Sequence, residues 1–202
     1  LTENRIWKDR TRGVGCISAE DAVALGVSGP SLRASGVDFD LRRDMPYSSY
    51  DQFRFHVPVK HEGDVYARYL VRVQEMRESI GMVKQALDGM PSGPVKAAAP
   101  KVVLPDREKM KTQMEALIYH FKIVTEGYRV PPGEVVQKVE SPRGEMAYYV
   151  VSDGGPQPYR CFIRGPSFGN LQGIPRMVQG GLLADVISAL GSIDFVLGDV
   201  DR

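Results

Sequence analysis

The chain closes on "DFVLGDVDR", which sets Asp194, Asp199, Asp201 and Arg202 among the apolar side chains of Phe195, Val196, Leu197 and Val200. A chain end normally frays, so apolar residues interleaved with charge at this place call for something that holds them. The spacing records either a working site, a lost one, or an anchor. Elsewhere the residue types that carry chemistry are sparse. His56, His61 and His120 are the three histidines, and none stands at a metal-site spacing to another His, Cys or carboxylate. Cys16 and Cys161 lie far apart without a Cys-x-x-Cys spacing, which reads as two reduced, buried thiols rather than a disulfide framework or a zinc site. The glycines of "GVG" and "GVSGPSLRASG" are followed by no phosphate-loop lysine and read as turns, and no Gly-x-Ser-x-Gly elbow is present. Arg143 is held in the turn "SPRG". Arg160, Phe162 and Arg164 share one strand face that suits an anion or a base, or equally an interface or solvated strand.

Charge weighs against the nucleic-acid option. With 26 basic and 25 acidic residues in 202, the chain has no overall attraction for nucleic acid or anionic lipid. Its 43% hydrophobic and 25% charged residues are those of an ordinary globular protein with enough length to bury a core. The apolar stretch over 178–193 is interrupted by Gln179 and Asp185, short of a membrane span. The chain opens on Leu1, with neither an initiator Met nor the apolar core of a signal peptide, and the expectation is that a longer protein precedes it.

The elements that must position these residues follow from periodicity. "SAEDAVALG" reads as a short helix capped by Ser18, with Asp21 at the capping-box position and Gly26 as its left-handed stop. Residues 27–63 read as ordered loop with short strands around "FRFHVPV". From Asp64, the residues Tyr66, Tyr69, Val73, Met76, Ile80, Val83 and Leu87 form one apolar stripe on a long helix. A second helix starts after Pro105 with Asp106 as cap, carries Met110, Met114, Leu117, Phe121 and Val124, and stops at Gly127. The two stripes predict an antiparallel helix pair over 64–127. "GEVVQKVE", "GEMAYYVVS" and "YRCFIRG" alternate with period two and are separated by turn signals, which predicts an antiparallel meander within 128–177. A last helix is expected over about 178–191, before the tail. The fold class is α+β and mainly helical, divided as 1–63, 64–127, 128–177 and 178–202.

Six segments, "LTENRIWKDRT", "YLVRVQEMRES", "EALIYHFKIVTEG", "VPPGEVVQKVESPRGEMAYYVVSDGG", "PYRCFIRGPSFGNLQG" and "DFVLGDVDR", together resemble the C-terminal half of the D-type (49-kDa-type) quinone-site subunit of respiratory NADH:quinone oxidoreductase, complex I. That family is similar to the large subunit of nickel–iron hydrogenases, so the resemblance implies a hydrogenase-large-subunit-like fold. Hydrogenases of that kind end in Asp-Pro-Cys-x-x-Cys-x-x-His. Over "DFVLGDVDR" the Asp falls on Asp194, the Pro on Phe195, the two cysteines on Val196 and Asp199, and the His on Arg202. Without thiolates a soft metal site has no ligands, so the spacing reads as the remnant of one, with no metal expected here.

The resemblance further implies that the former metal cavity receives a quinone headgroup as substrate, with Val196, Leu197, Phe195 and Phe168 as its candidate lining. Phe195 to Leu197 can equally be core that anchors the terminus. Arg143 matches an arginine that lies over the metal centre in hydrogenases, and with Asp194, Asp199 and Arg202 it would set the pocket's charge or pin the tail. No catalytic residue maps onto this chain, because the family's quinone-binding His and Tyr belong to the N-terminal half. No cofactor is expected on the chain itself. Electrons would come from an iron–sulfur cluster on the neighbouring B-type subunit, with the C-type and other complex I subunits as further neighbours. The implied location is peripheral, at the cytoplasmic face of a bacterial inner membrane or the matrix side of an organelle. The rival readings are a stand-alone scaffolding module of the same fold and a hydrogenase fragment.

Overall fold

The computed structural model describes residues 1–201. Its helices are α1 (Arg5–Thr11), α2 (Ala19–Ala24), α3 (Pro30–Arg33), α4 (Leu41–Asp44), α5 (Val65–Asp88), α6 (Arg107–Thr112), α7 (Met114–Thr125), α8 (Pro166–Leu171), α9 (Ile174–Val178), α10 (Leu183–Ser192) and α11 (Leu197–Val200). Strands β1 (Gly133–Ser141), β2 (Gly144–Ser152) and β3 (Arg160–Arg164) form a three-stranded antiparallel sheet in the order β1-β2-β3, as the alternating pattern predicts. Among the described residues no helix is long and apolar enough to cross a membrane.

Local signals account for most of these boundaries. Ser18 caps α2 by accepting from the Asp21 N–H (3.1 Å), and Gly26 stops it at φ +70°. Asp64 caps α5 through the Ala67 N–H (2.7 Å). Three expectations are corrected. The second long helix is two, because Gln113 adopts an extended backbone between α6 and α7, and the Asp106 carboxylate pairs with Lys96 (2.6 Å) instead of capping. The last helix starts at Leu183 rather than 178, since Gly180, at φ +77°, separates it from α9. "FRFHVPV" forms no strand: its N–H groups bond side chains of α5, Arg54 to Gln85 (2.9 Å) and His56 to Glu78 (3.1 Å).

The chain forms two compact units, Leu1–Gly89 with Lys138–Ala147 and Ile163–Arg202, and Met90–Gln137 with Tyr148–Phe162. The expected helix pair over 64–127 is therefore divided. In the first unit α5 packs on α1, α3 and α10; in the second α7 packs on α6. The buried residues of α5 are Val65 to Arg68 and Val71 near its start and Met82 further on, while its later stripe residues Ile80, Val83 and Leu87 are exposed. On α7 the stripe of Met114, Leu117, Phe121 and Val124 is exposed as well, with Ala116 alone buried. Both cysteines reach the surface, contrary to the buried reading: Cys161 lies on an exposed stretch of β3 and Cys16 in the loop that leads to α2.

The first unit has an apolar core of Ile17, Ala22, Val27, Leu32, Met177, Ala189 and Ile193, with a smaller cluster of Ala34, Ala67 and Val71 beside α5. Buried charge runs through it. Arg33 binds Glu75 (2.7 Å) and Glu140 (2.8 Å), and Asp40 is held by Arg42 (2.6 Å). Burial raises Glu75 and Glu140 above the ordinary 4.5, outweighing the Arg33 charge that opposes it. Burial acts on Asp40 too, yet the Arg42 hydrogen bonds and the Arg33 charge together hold it below 3.8.

From about pH 4.5 upward the folded chain keeps protons on Glu75 and Glu140 that the unfolded chain has released, so their contribution to stability falls as pH rises. Asp40 works the other way, its contribution being lost only as pH falls below 3.8. In thermal melts between about pH 4.5 and 6.5, Glu140→Gln is expected to flatten the decline in Tm with pH. An unchanged slope would show that Glu140 is not held above its ordinary value.

Candidate functional site

The tail, the "SPRG" turn, the "GVSGP" loop and the "GPSFGN" segment meet in the first unit. Helix α8 begins with Pro166 after Gly165, leaving its first N–H groups without acceptors inside the helix. The tail supplies one. Asp199, nearly fully buried, accepts from the Ser167 N–H through Oδ2 (2.9 Å), and the Ser167 hydroxyl accepts from the Val196 N–H (3.3 Å). One serine thus grips the tail at two points. Gly165 is required there, because a Cβ at that position would fall onto the Asp199 carboxylate.

The same helix reaches the turn. Asn170, buried, donates from Nδ2 to the Arg143 carbonyl (3.0 Å) and accepts from the Ser28 N–H (2.9 Å). Ser28 Oγ in turn accepts from the Glu145 N–H (3.1 Å). Gly29 and Gly144 are in backbone contact, both at positive φ (+66° and +141°), so neither place admits a side chain. These bonds fix the turn against the loop and leave the Arg143 side chain to reach the tail. Its Nε donates to the Asp194 carbonyl (2.8 Å), with Asp194 Oδ2 at 3.4 Å. Asp194 itself lies in the left-handed region at φ +53°, a conformation aspartate tolerates better than most residues. Both side chains are partly solvated, so the ion pair adds little; the hydrogen bond to the carbonyl sets the geometry.

The predicted site residues therefore take different places. Arg143 meets Asp194, while Asp199 meets Ser167. Phe195 packs on the apolar core. Val196, Leu197 and Phe168 present apolar surface, 39%, 72% and 58% exposed. Arg202 lies outside the described residues. Of the strand-face residues, Arg164 pairs with Glu145 (3.2 Å). Sequence reading missed Ser167 and Asn170. The available signal for Ser167 was its place at the start of a Gly-Pro helix, where acceptors are needed; Asn170, near the end of that helix, gave none. Among the described residues no three His, Cys, Asp or Glu side chains converge in an arrangement that holds a metal ion. At the two positions matching hydrogenase cysteines stand Val196, without a donor atom, and Asp199, with one oxygen committed to Ser167, a donor set that does not fit a thiolate metal centre.

A clamped tail that displays apolar residues beside an arginine-bearing turn is a surface suited to an apolar partner with a polar end. The family description "Respiratory-chain NADH dehydrogenase, 49 Kd subunit" matches residues 1–202, and the chain belongs to that family. It is 69% identical over 202 residues to the second D-type subunit of the NADH-quinone oxidoreductase of Koribacter versatilis (strain Ellin345), covering 100% of this chain and 50% of that protein. It is 65% identical to the first D-type subunit of the same enzyme in Solibacter usitatus (strain Ellin6076), covering 100% of this chain and 49% of the relative. For the D-type subunit of Geobacter sulfurreducens the identity is 54%, over 100% of this chain and 52% of the relative. The chain thus spans about half the length of the curated relatives it matches.

Gly165→Ala is expected to expel the Asp199 carboxylate, lowering stability by about 1–3 kcal/mol and speeding proteolysis within 195–201. Gly198→Ala, where an added methyl meets nothing within 4 Å, serves as the control and leaves both unchanged. Equal cleavage rates in the two variants, followed by mass spectrometry, would show that the Asp199 contact does not hold the tail.

Proposed function

We propose that this chain acts as the C-terminal part of a D-type subunit in NADH:quinone oxidoreductase, where its tail forms one wall of the quinone-reduction chamber. The observation that carries this is the clamped tail: Ser167 and Arg143 fix its backbone while Val196 and Leu197 stay exposed, in a chain that matches the family over 1–202. A wall of this kind needs fixed backbone and apolar side chains, because a quinone ring is bound by area and its polar oxygens by few placed groups. Phe168 extends the apolar surface, and Phe195 anchors it from the core side.

Arg143, Asp194 and Asp199 set the charge at the wall. Arg143 favours negative charge developing on a quinone as it is reduced, a preorganised electrostatic effect. Reduction itself relies on electrons from an iron–sulfur cluster bound by the B-type subunit. The residues of this chain position the ring and exclude water; they supply no catalytic proton donor. The exposed stripes of α5 and α7 suit burial against the B-type and C-type subunits, and the assembly would sit peripherally at the cytoplasmic face of a bacterial inner membrane. The hydrogenase-like fold is part of the same proposal, supported by the tail spacing.

In membranes carrying the assembled enzyme, Leu197→Ala is expected to raise KM for quinone about tenfold. NADH oxidation by a soluble artificial acceptor should be unchanged. Migration of the polypeptide as a small species apart from any NADH-oxidising assembly, or a Leu197→Ala enzyme with an unaltered quinone KM, would contradict the proposal.

A further inference from the structure

Helix α5 carries two arginines one turn apart, Arg68 fully buried and Arg72 half-buried, and they end differently. Arg68 has every nitrogen bonded: Nε to the Ser192 hydroxyl, Nη1 to the Gly63 carbonyl and Nη2 to the Gly15 carbonyl, each at 2.8 Å. Arg72 donates only from Nη1, to the Ser192 carbonyl (2.5 Å). Its Nε and Nη2 are shut off from solvent and have no partner among the described residues. Those two N–H groups share one edge of the guanidinium, the edge that takes both oxygens of a carboxylate. The nearby acids are engaged elsewhere, Glu75 with Arg33 and Asp194 with Arg143.

Apart from Asp194, Ser188 and Ser192, the surroundings of Arg72 are apolar: with Trp7, Tyr69, Val73, Met76 and Ile187 it lines a cleft of about 530 Å³. The Trp7 indole N–H is also buried without a partner among the described residues. Apolar surface continues from the cleft along α5 through Met76 and Ile80, and along α10 through Leu183 and Ile187. A purely apolar occupant would leave Arg72 unpaired, at a cost of about 1–3 kcal/mol for each unmade bond. A small hydrated anion would pair with Arg72 and leave the apolar walls wet. The occupant that answers both is a carboxylate flanked by apolar side chains.

We propose that the Arg72 cleft is the docking site for an Asp- or Glu-bearing apolar segment supplied by the part of a D-type subunit that this chain does not match. The relatives run to about twice the length of this chain, so the family provides a polypeptide of the needed size. Charge complementarity selects its anchor, and burial makes that anchor strong, since a desolvated arginine–carboxylate pair governs the dissociation rate. The inference rests on family membership and is independent of any role in quinone reduction.

The test mixes this 202-residue chain with the recombinant unmatched portion of the Koribacter versatilis relative, reading affinity by calorimetry and contacts by cross-linking mass spectrometry. Binding is expected, with cross-links placing an acidic, apolar-flanked peptide beside residues 72–76 and 187. Arg72→Gln should weaken it about 30-fold or more, from the roughly 2 kcal/mol or more that loss of one partner of a buried pair costs. Arg72→Glu should lose binding and regain it when the cross-linked acid is changed to Arg. If the portion does not fold alone, it is joined to this chain where the match begins, and Arg72→Gln should then raise hydrogen exchange over 69–76 and 183–191. Unchanged affinity or exchange in Arg72→Gln, no binding at all, or cross-links confined to other surfaces would overturn the proposal. So would decanoate binding in the cleft that the polypeptide fails to displace.

Discussion

The bond between the Asp199 carboxylate and the Ser167 N–H decides how the tail is held, and three distant segments are arranged to permit it. Helix α8 needs an acceptor at its first turn, and Asp199 arrives to provide it. Gly165 must lack a side chain for the carboxylate to fit. Three residues along the same helix, Asn170 ties the 141–144 turn to the 26–29 loop, where two glycines let backbone approach backbone. From that turn Arg143 reaches back to Asp194, closing a ring of hydrogen bonds that begins and ends on the tail. The consequence is that Val196 and Leu197 are displayed on a fixed backbone. A fixed apolar surface follows from polar satisfaction of a short helix.

Buried arginines organise the rest of the first unit. Arg68 joins the loops at Gly15 and Gly63 to Ser192, placing α10 and hence the start of the tail. Its burial, with the neighbouring Arg72 charge, pushes its pKa down to about 10, still well above neutral pH, so it remains charged there. Arg33 instead gathers carboxylates from α5 and β1. Such groups cost desolvation energy and return directional bonds, so removing one partner is more disruptive than the net worth of the pair suggests. They fix the register of elements whose apolar contacts alone would tolerate sliding.

Much of this was legible in the residues. The cap at Ser18, the stop at Gly26 and the three strands follow from short-range rules that the structure obeys. The partners of the long helices were not legible, because an apolar stripe states that a face will be buried and not what will bury it. In this chain the α5 and α7 stripes are largely exposed. The break at Gln113 carries no Gly or Pro, so nothing local announces it. At the site, the tail and Arg143 stood out through composition and turn chemistry. Ser167 and Asn170 did not, since serine and asparagine after Gly-Pro read as ordinary turn residues until an unpaired N–H and a distant carbonyl are seen beside them.

The most direct measurement is photolabelling of the assembled enzyme in membranes with an azidoquinone, followed by mass spectrometric mapping of the modified residues. Competed by native quinone, label on Val196 or Leu197 within the tail peptide is the expected result. Competable label confined to other segments of the chain, with the tail peptide unmodified, would contradict the assignment of this tail to the quinone chamber.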